Sequence, residues 1–321
     1  MIERARASSQ SVLIGDIGGT NCRFALASAG HLLRASIKTY ATAAFPTLAG
    51  AAQHYLSEQN TQVERGCLAI AGPVAGDHVE LTNNPWQFSI ERTRAELGFS
   101  QLRIVNDFEA VGLALPHLQH EQLVQIGGGA PLTGQPKVAL GPGTGYGATH
   151  VISVGSTHIA LPTEGGHISI APSSELELKL CQWLLDQHLQ ITCENLLSGP
   201  GLENIYRALK TLRGEPAARK SAAEIQHSAV EGCDEICVQA LRVFCELLGT
   251  AARDQALCCL ARGGIYIAGG IVQRFVPFLK SSNFRSRFEL SPTMHAVLAP
   301  VPVYVIVEEF AGLIGVAAQY R

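Results

Sequence analysis

Two stretches of this chain, far apart in sequence, read the same way: an apolar run, a glycine-rich turn, and a second apolar run. In the first, residues 12–16 lead into Ile17-Gly18-Gly19-Thr20-Asn21 and residues 22–28 return. In the second, residues 137–140 lead into Gly141-Pro142-Gly143-Thr144-Gly145 and residues 148–154 return. The apolar runs have the character of buried strands, and the glycines permit a sharp reversal between them. A chain of 321 residues is long enough for two domains with a sizeable core each. One such hairpin in each half predicts two α/β domains of related build.

The remaining pattern alternates strands with helices. A third strand spans residues 32–40, and a helix with Pro46 in its first turn runs to residue 57. A strand at 67–71 ends in Gly72-Pro73, and Ser89 caps a short helix to Leu97. The strand at 102–105 delivers Asn106-Asp107 at its carboxyl end, the edge where open α/β sheets bind ligands. The Gly/Pro-rich passage 127–136 reads as a hinge between domains. Helices follow at 174–187, with a capping box from Ser174 to Glu177, at 202–209, after a second box from Ser221 to Glu224, and at 234–262, stopped by Gly263-Gly264. Strands at 265–268 and 301–307 precede a small apolar helix, 311–319, expected to pack back on the first domain. Residues 1–10 read as a frayed tail.

Charge and cysteine content exclude several classes of function. Twenty-four basic residues against 27 acidic ones give a net charge of -3, so no basic field exists to attract a nucleic acid. No run approaches the roughly 18 apolar residues of a membrane span, which predicts a soluble protein with no membrane partner. The nine cysteines are odd in number and form no CxxC pair, so they read as reduced, mostly buried thiols of a cytoplasmic protein.

Three glycine turns carry the candidate chemistry: residues 16–21, residues 141–147 and Gly269-Gly270. Each lets backbone amides approach an anion, and the hydroxyls of Thr20 and Thr144 add donors. The chain lacks GxxxxGK[ST] and GxGxxG, which argues against P-loop and dinucleotide sites. Asp16, at a strand end before such a turn, is suited to hold Mg²⁺ through water beside nucleotide phosphates.

DIGGTN at 16–21, NDFEA at 106–110, GPGTGYG at 141–147, EGGH at 164–167, ENLLSGPGL at 194–202 and IAGGI at 267–271 together resemble the bacterial ATP-dependent glucokinase family over essentially the whole chain. The resemblance implies the two-domain actin-like ATPase (ribonuclease H-like) fold, with mixed sheets flanked by helices and a deep interdomain cleft. Residues 1–116 with 309–321 would form the small domain and 117–308 the large one. It implies ATP and Mg²⁺ as cofactors, D-glucose as partner, and glucose 6-phosphate and ADP as products; a homodimer is compatible with it. Asp107 matches the catalytic base, and Asn106, Glu164, His167 and Glu194 match sugar-hydroxyl ligands. Asp16, Gly18, Gly19, Thr20, Asn21, Gly143, Thr144 and Gly145 match the phosphate-binding turns, with Gly269 and Gly270 beneath the adenosine. Three positions depart from the family: Tyr146 stands where Leu is usual, Thr163 where Gly precedes EGG, and Ala311 where Pro often leads the last helix. The Cys-rich motif of zinc-bearing relatives is missing, so a structural zinc is not expected. The alternatives are a kinase of broader or different hexose specificity, a non-catalytic sugar sensor, and an assembly-coupled ATPase. Eleven residues before the first strand leave a sensor no room for a helix-turn-helix, and an assembly ATPase has no use for the sugar-ligand set.

Overall fold

The computed structural model describes residues 11–81, 84–216 and 219–320; the expected frayed tail lies outside the described residues. They divide between two compact units, one drawn from Met1–Leu118 and Glu309–Arg321, the other from Gln119–Glu308.

The first unit contains β1 (Ser11–Ile17), β2 (Asn21–Ser28), β3 (His31–Ala41), α1 (Leu48–Glu58), β4 (Arg65–Ile70), β5 (His78–Glu80), β6 (Gln87–Ser89), α2 (Ile90–Glu96), β7 (Gln101–Asn106) and α3 (Asp107–Ala114). Its five-stranded sheet has the order β3-β2-β1-β4-β7. β1, β2 and β3 form an antiparallel meander, and β4 and β7 add in parallel beside β1. Alternation along β1 sends Leu13 and Ile17 to one face, with Tyr55 and Trp86, and Ile14 to the other. That second face is paved with Ala25, Ala27 and Ala69, small enough for the C-terminal helix Ala311–Ala317 to lie close through Leu313 and Val316. Thr47 caps α1 by accepting from Gly50 N at 3.0 Å, so Pro46 precedes the cap instead of sitting in the first turn. Ser89 caps α2 through Arg92 N.

The second unit contains β8 (Leu123–Gly127), β9 (Lys137–Pro142), β10 (Tyr146–Val154), β11 (Thr157–Pro162), α4 (Glu175–Asp186), α5 (Cys193–Leu196), α6 (Gly199–Leu212), α7 (Ala222–Val230), α8 (Glu235–Cys259), β12 (Ile265–Ile267), α9 (Val276–Ser281), α10 (Phe284–Glu289) and β13 (Val303–Ile306). Its sheet runs β11-β10-β9-β12-β13-β8. β9, β10 and β11 form an antiparallel meander and β12 and β13 add in parallel. Without β8, which closes the far edge antiparallel to β13, this is the order and sense of the first sheet. The recurrence read from two hairpins therefore extends to five strands in each unit.

Three further sequence expectations are corrected. Residues 127–136 do not separate the units: both flanks belong to the second, and the passage is stitched to it by Gly129 N donating to Pro300 O and Leu132 N to Arg262 O. α8 ends earlier than Gly263, at Leu260, which takes a left-handed φ of 50°. Of the two capping boxes, the one at Ser221 and Glu224 forms fully, whereas Ser174 caps α4 but the Glu177 carboxylate accepts from Ser173 N instead of Ser174 N and, through its other oxygen, from Arg287, 2.7 Å away. The nine cysteines are free thiols, among them the buried Cys67, Cys193 and Cys245. Among the described residues no helix is long and apolar enough to cross a membrane.

Candidate active site

On the first unit, the parallel strands β1, β4 and β7 end at one edge. Ile17 pairs with Ile70 and Ile70 with Asn106, so the ends of β1 and β7 stand two strand spacings apart, roughly 10 Å. The glycine turn after β1 is closed by Gly18 N donating to Asn21 O at 2.9 Å. It is braced from outside: Thr42 N donates to Thr20 O, Thr42 Oγ1 to Gly18 O, and Asn84 Nδ2 to Gly19 O. Thr20 and Asn21 are exposed at its tip. Asp16 faces Arg23 across the β1–β2 ladder, with Nη1 3.6 Å from Oδ2. Burial pushes the Asp16 carboxyl above its usual range, a rise that the Arg23 guanidinium offsets only in part. No cluster of three or more His, Cys, Asp or Glu side chains able to hold a metal occurs among the described residues. One hard carboxylate suits Mg²⁺ shared with phosphate oxygens and water, the usual state of that ion, better than a cage built from protein alone.

Asn106 and Asp107 mark the step from β7 into α3. Asn106 is the cap: its Oδ1 accepts from Phe108 N at 2.8 Å and Glu109 N at 3.3 Å, and its Nδ2 donates to Gly72 O. Both lone pairs of its oxygen are then taken, and the amide keeps one N–H for a further partner. Asp107, the first helical residue, accepts from Phe108 N through Oδ1 at 2.8 Å. Helix capping is thus Asn106's task, which removes the plainest structural reason for an aspartate at 107.

On the second unit, Gly143 N donates to Gly145 O at 2.7 Å in the β9–β10 turn, with Thr144 exposed at its apex. Ala268 N donates to Leu140 O, which brings Gly269-Gly270 beside this turn. Glu164 and His167 flank a single tight helical turn, Gly165–His167, in which His167 N donates to Glu164 O. Both side chains are solvent-exposed, and His167 Nε2 stands 4.0 Å from Glu164 Oε2. The chain leaving that turn pairs with the approach to α5 through Ser169 and Thr192 and through Cys193 N donating to Ile168 O, which brings Glu194 alongside. Glu194 Oε2 accepts from Tyr146 N at 3.1 Å. The second unit therefore assembles Glu164, His167, Glu194 and the turns at 143–145 and 269–270; the first assembles Asp16, residues 18–21 and Asn106-Asp107.

Ser198 was not singled out from sequence. It is buried, donates to Glu194 O at 2.7 Å and caps α6 by accepting from Gly201 N. Its signal was the helix-start pattern Ser-Gly-Pro, readable as a cap though not as a hold on Glu194. Of the three departures, Thr163 donates to Ala148 O, Ala311 begins the C-terminal helix buried, and Tyr146 is buried with no hydrogen-bond partner for its hydroxyl among the described residues.

Two sheets of the same strand order, each with a glycine turn between its first two antiparallel strands, define the actin-like ATPase fold to which the sugar kinases belong. A glucokinase crystal structure from an Antarctic psychrotroph superposes with a TM-score of 0.86 at 37% identity, covering 97% of this chain and 98% of that one. A ROK family glucokinase from Streptomyces griseus, solved in complex with glucose and AMPPNP, matches at a TM-score of 0.65 and 18% identity over 96% of this chain and 98% of that one, a likeness of fold alone. The Glucokinase family model matches residues 13–321. The glucokinase of Klebsiella pneumoniae (strain 342) is 42% identical over 311 residues, 96% of each chain. The chain belongs to the glucokinase family.

Proposed function

We propose that this protein transfers the γ-phosphoryl group of MgATP to the 6-hydroxyl of D-glucose, giving glucose 6-phosphate and ADP in the cytoplasm. The observation that carries the reading is Asp107, a carboxylate at the end of a parallel strand whose neighbour has taken over the capping of the helix. Asp107 accepts the proton of the 6-hydroxyl as that oxygen attacks in line. Asn106, Glu164, His167 and Glu194 take the other hydroxyls, the carboxylates as acceptors and the amide as donor through its free N–H. The exposed apices at Thr20 and Thr144 offer hydroxyl and backbone N–H donors to the phosphates, with Gly269-Gly270 under the nucleoside. Asp16 would hold Mg²⁺ through water, and the bound metal neutralises charge on the phosphate oxygens.

The family membership, the free thiols and the strand-end placement of Asp16 and Asp107 support this reading. A coupled assay with MgATP across glucose, mannose, fructose and N-acetylglucosamine tests it. Glucose is expected to give the highest kcat/KM. A stronger preference for another hexose overturns the substrate, and sugar binding with no phosphorylation overturns the activity.

A further inference from the structure

The apex of the glycine turn, residues 143–145, has little of its own to define its shape. Its glycines allow the backbone many conformations; below the apex Tyr146 and Gly147 pair with Pro142 and Gly141 in the β9–β10 ladder, and within it Gly143 N donates to Gly145 O. Two further bonds hold it from outside, and both come from the same six-residue segment. Gly199 N donates to Gly143 O at 2.9 Å, and Tyr146 N donates to Glu194 Oε2 at 3.1 Å. That segment is itself rigid, because the buried Ser198 ties its hydroxyl to Glu194 O and to Gly201 N. The carboxylate is also enclosed sterically: a Cβ on Gly145 would lie 2.4 Å from Glu194 Oε2, and one on Gly166 would lie 3.3 Å from it. Glu194 is thus wedged between the turn and the Glu164–His167 element.

We infer that Glu194 is a positioning residue for nucleotide binding: it holds the Gly143–Tyr146 turn in the shape that receives phosphate, so nucleotide affinity depends on this glutamate even with no sugar present. The inference rests on the proposed assignment of 143–145 to the phosphates. Its counterweight is charge, since a carboxylate near an anion site repels the ligand; the bond from Tyr146 N is what offsets this, by directing Oε2 at a backbone donor. A consequence follows for the sugar. A hydroxyl bound at Glu194 restrains the same side chain that restrains the turn, and by linkage a nucleotide on the turn tightens sugar by the same factor that sugar tightens nucleotide.

The test is calorimetric titration of MgAMPPNP, without sugar, into the wild type, Glu194→Gln and Glu194→Ala. The amide oxygen of Glu194→Gln still accepts from Tyr146 N, so its nucleotide affinity should stay within about 2-fold of wild type or tighten, as expected of losing a like charge. Glu194→Ala leaves Tyr146 N without its acceptor and should weaken MgAMPPNP by about 5-fold or more. Wild-type affinity in a folded Glu194→Ala protein overturns the inference, as does equal weakening in both variants. Parallel glucose titrations separate this from the sugar assignment: if nucleotide binding falls in Glu194→Ala while glucose binding does not, the hold on the turn stands and the sugar role falls. Should Glu194→Ala not fold, Glu194→Met keeps the length of the side chain but offers Tyr146 N no oxygen to donate to. It should also weaken sugar-free MgAMPPNP by about 5-fold or more, and unchanged affinity would overturn the inference.

Discussion

Gly315 of the C-terminal helix stands directly against Ala110 of α3: a Cβ on Gly315 would lie 1.8 Å from Ala110 O. The two helices meet backbone to backbone, and α3 is the helix whose first residue is Asp107. Gly315→Ala must push the helices apart, an overpacking change that costs ~1–3 kcal/mol. Because α3 moves with its N-terminus, kcat should fall along with Tm. Thermal melts and glucose-dependent turnover check both; a variant with unchanged Tm would show that the contact yields without strain.

A second stability determinant lies under α4. Glu177 Oε1 accepts from Arg287 Nη2 at 2.7 Å, and Arg287 also donates to Thr250 Oγ1, all within a buried region. Removing one member strands a charge, so Glu177→Leu or Arg287→Met alone should destabilise by ~3–5 kcal/mol. The double substitution leaves no orphan charge and should lie nearer to wild type than either single change. Denaturant unfolding of the three variants measures this, and additive losses would mean the pair is not coupled.

Acid sensitivity should come in part from Asp234. Its Oδ1 caps α8 at Ile236 N and Cys237 N, while its Oδ2 meets Lys220 Nζ at 2.6 Å. The bond to Lys220 holds the Asp234 carboxyl down at about 2, against 3.8 for an unperturbed group. A lowered folded value means the stabilisation is complete above pH 3.8 and is lost as pH falls from there through about 2. Asp234→Ala should cost ~1–2 kcal/mol at neutral pH from cap and ion pair together. The gap from wild type should narrow over that acid window. A gap that stays constant to pH 2 would assign the whole effect to packing.

How much of this was legible in the sequence depended on whether a residue's neighbours were local. The glycine turns, the cap at Ser89 and the box at Ser221 were readable because donor and acceptor lie within a few residues of each other. Glu177 has the same local pattern as Glu224, but it accepts from Ser173 N instead of the cap residue's own N–H, and its other oxygen meets Arg287, a partner that only the fold brings near. β8 and β11 went unread: both are short edge strands, partly exposed, and β11 ends in Pro162. The hinge reading of 127–136 failed because glycine and proline mark any sharp change of direction, inside a unit as well as between units. At the site, the family resemblance pointed to Asp107 and Glu194, but the bond from Tyr146 N to Glu194 joins positions 48 apart and could not be seen without the fold.

The chemistry itself turns on Asp107. If it is the general base, Asp107→Ala should lower kcat by roughly 10²–10⁴-fold, the range for a positioned base. The variant should fold, since Asn106 supplies the cap of α3. MgAMPPNP affinity should change little, because the proposed phosphate contacts at residues 18–21 and 143–145 do not include this side chain. Glucose binding should weaken, since the carboxylate also accepts from the 6-hydroxyl in the ground state, yet saturating glucose should not restore the rate. That split, a lost kcat with retained nucleotide affinity, separates a catalytic role from a structural one. A folded Asp107→Ala protein that phosphorylates saturating glucose within tenfold of the wild-type rate would remove Asp107 as the base and require another group at the end of β7 to take the proton.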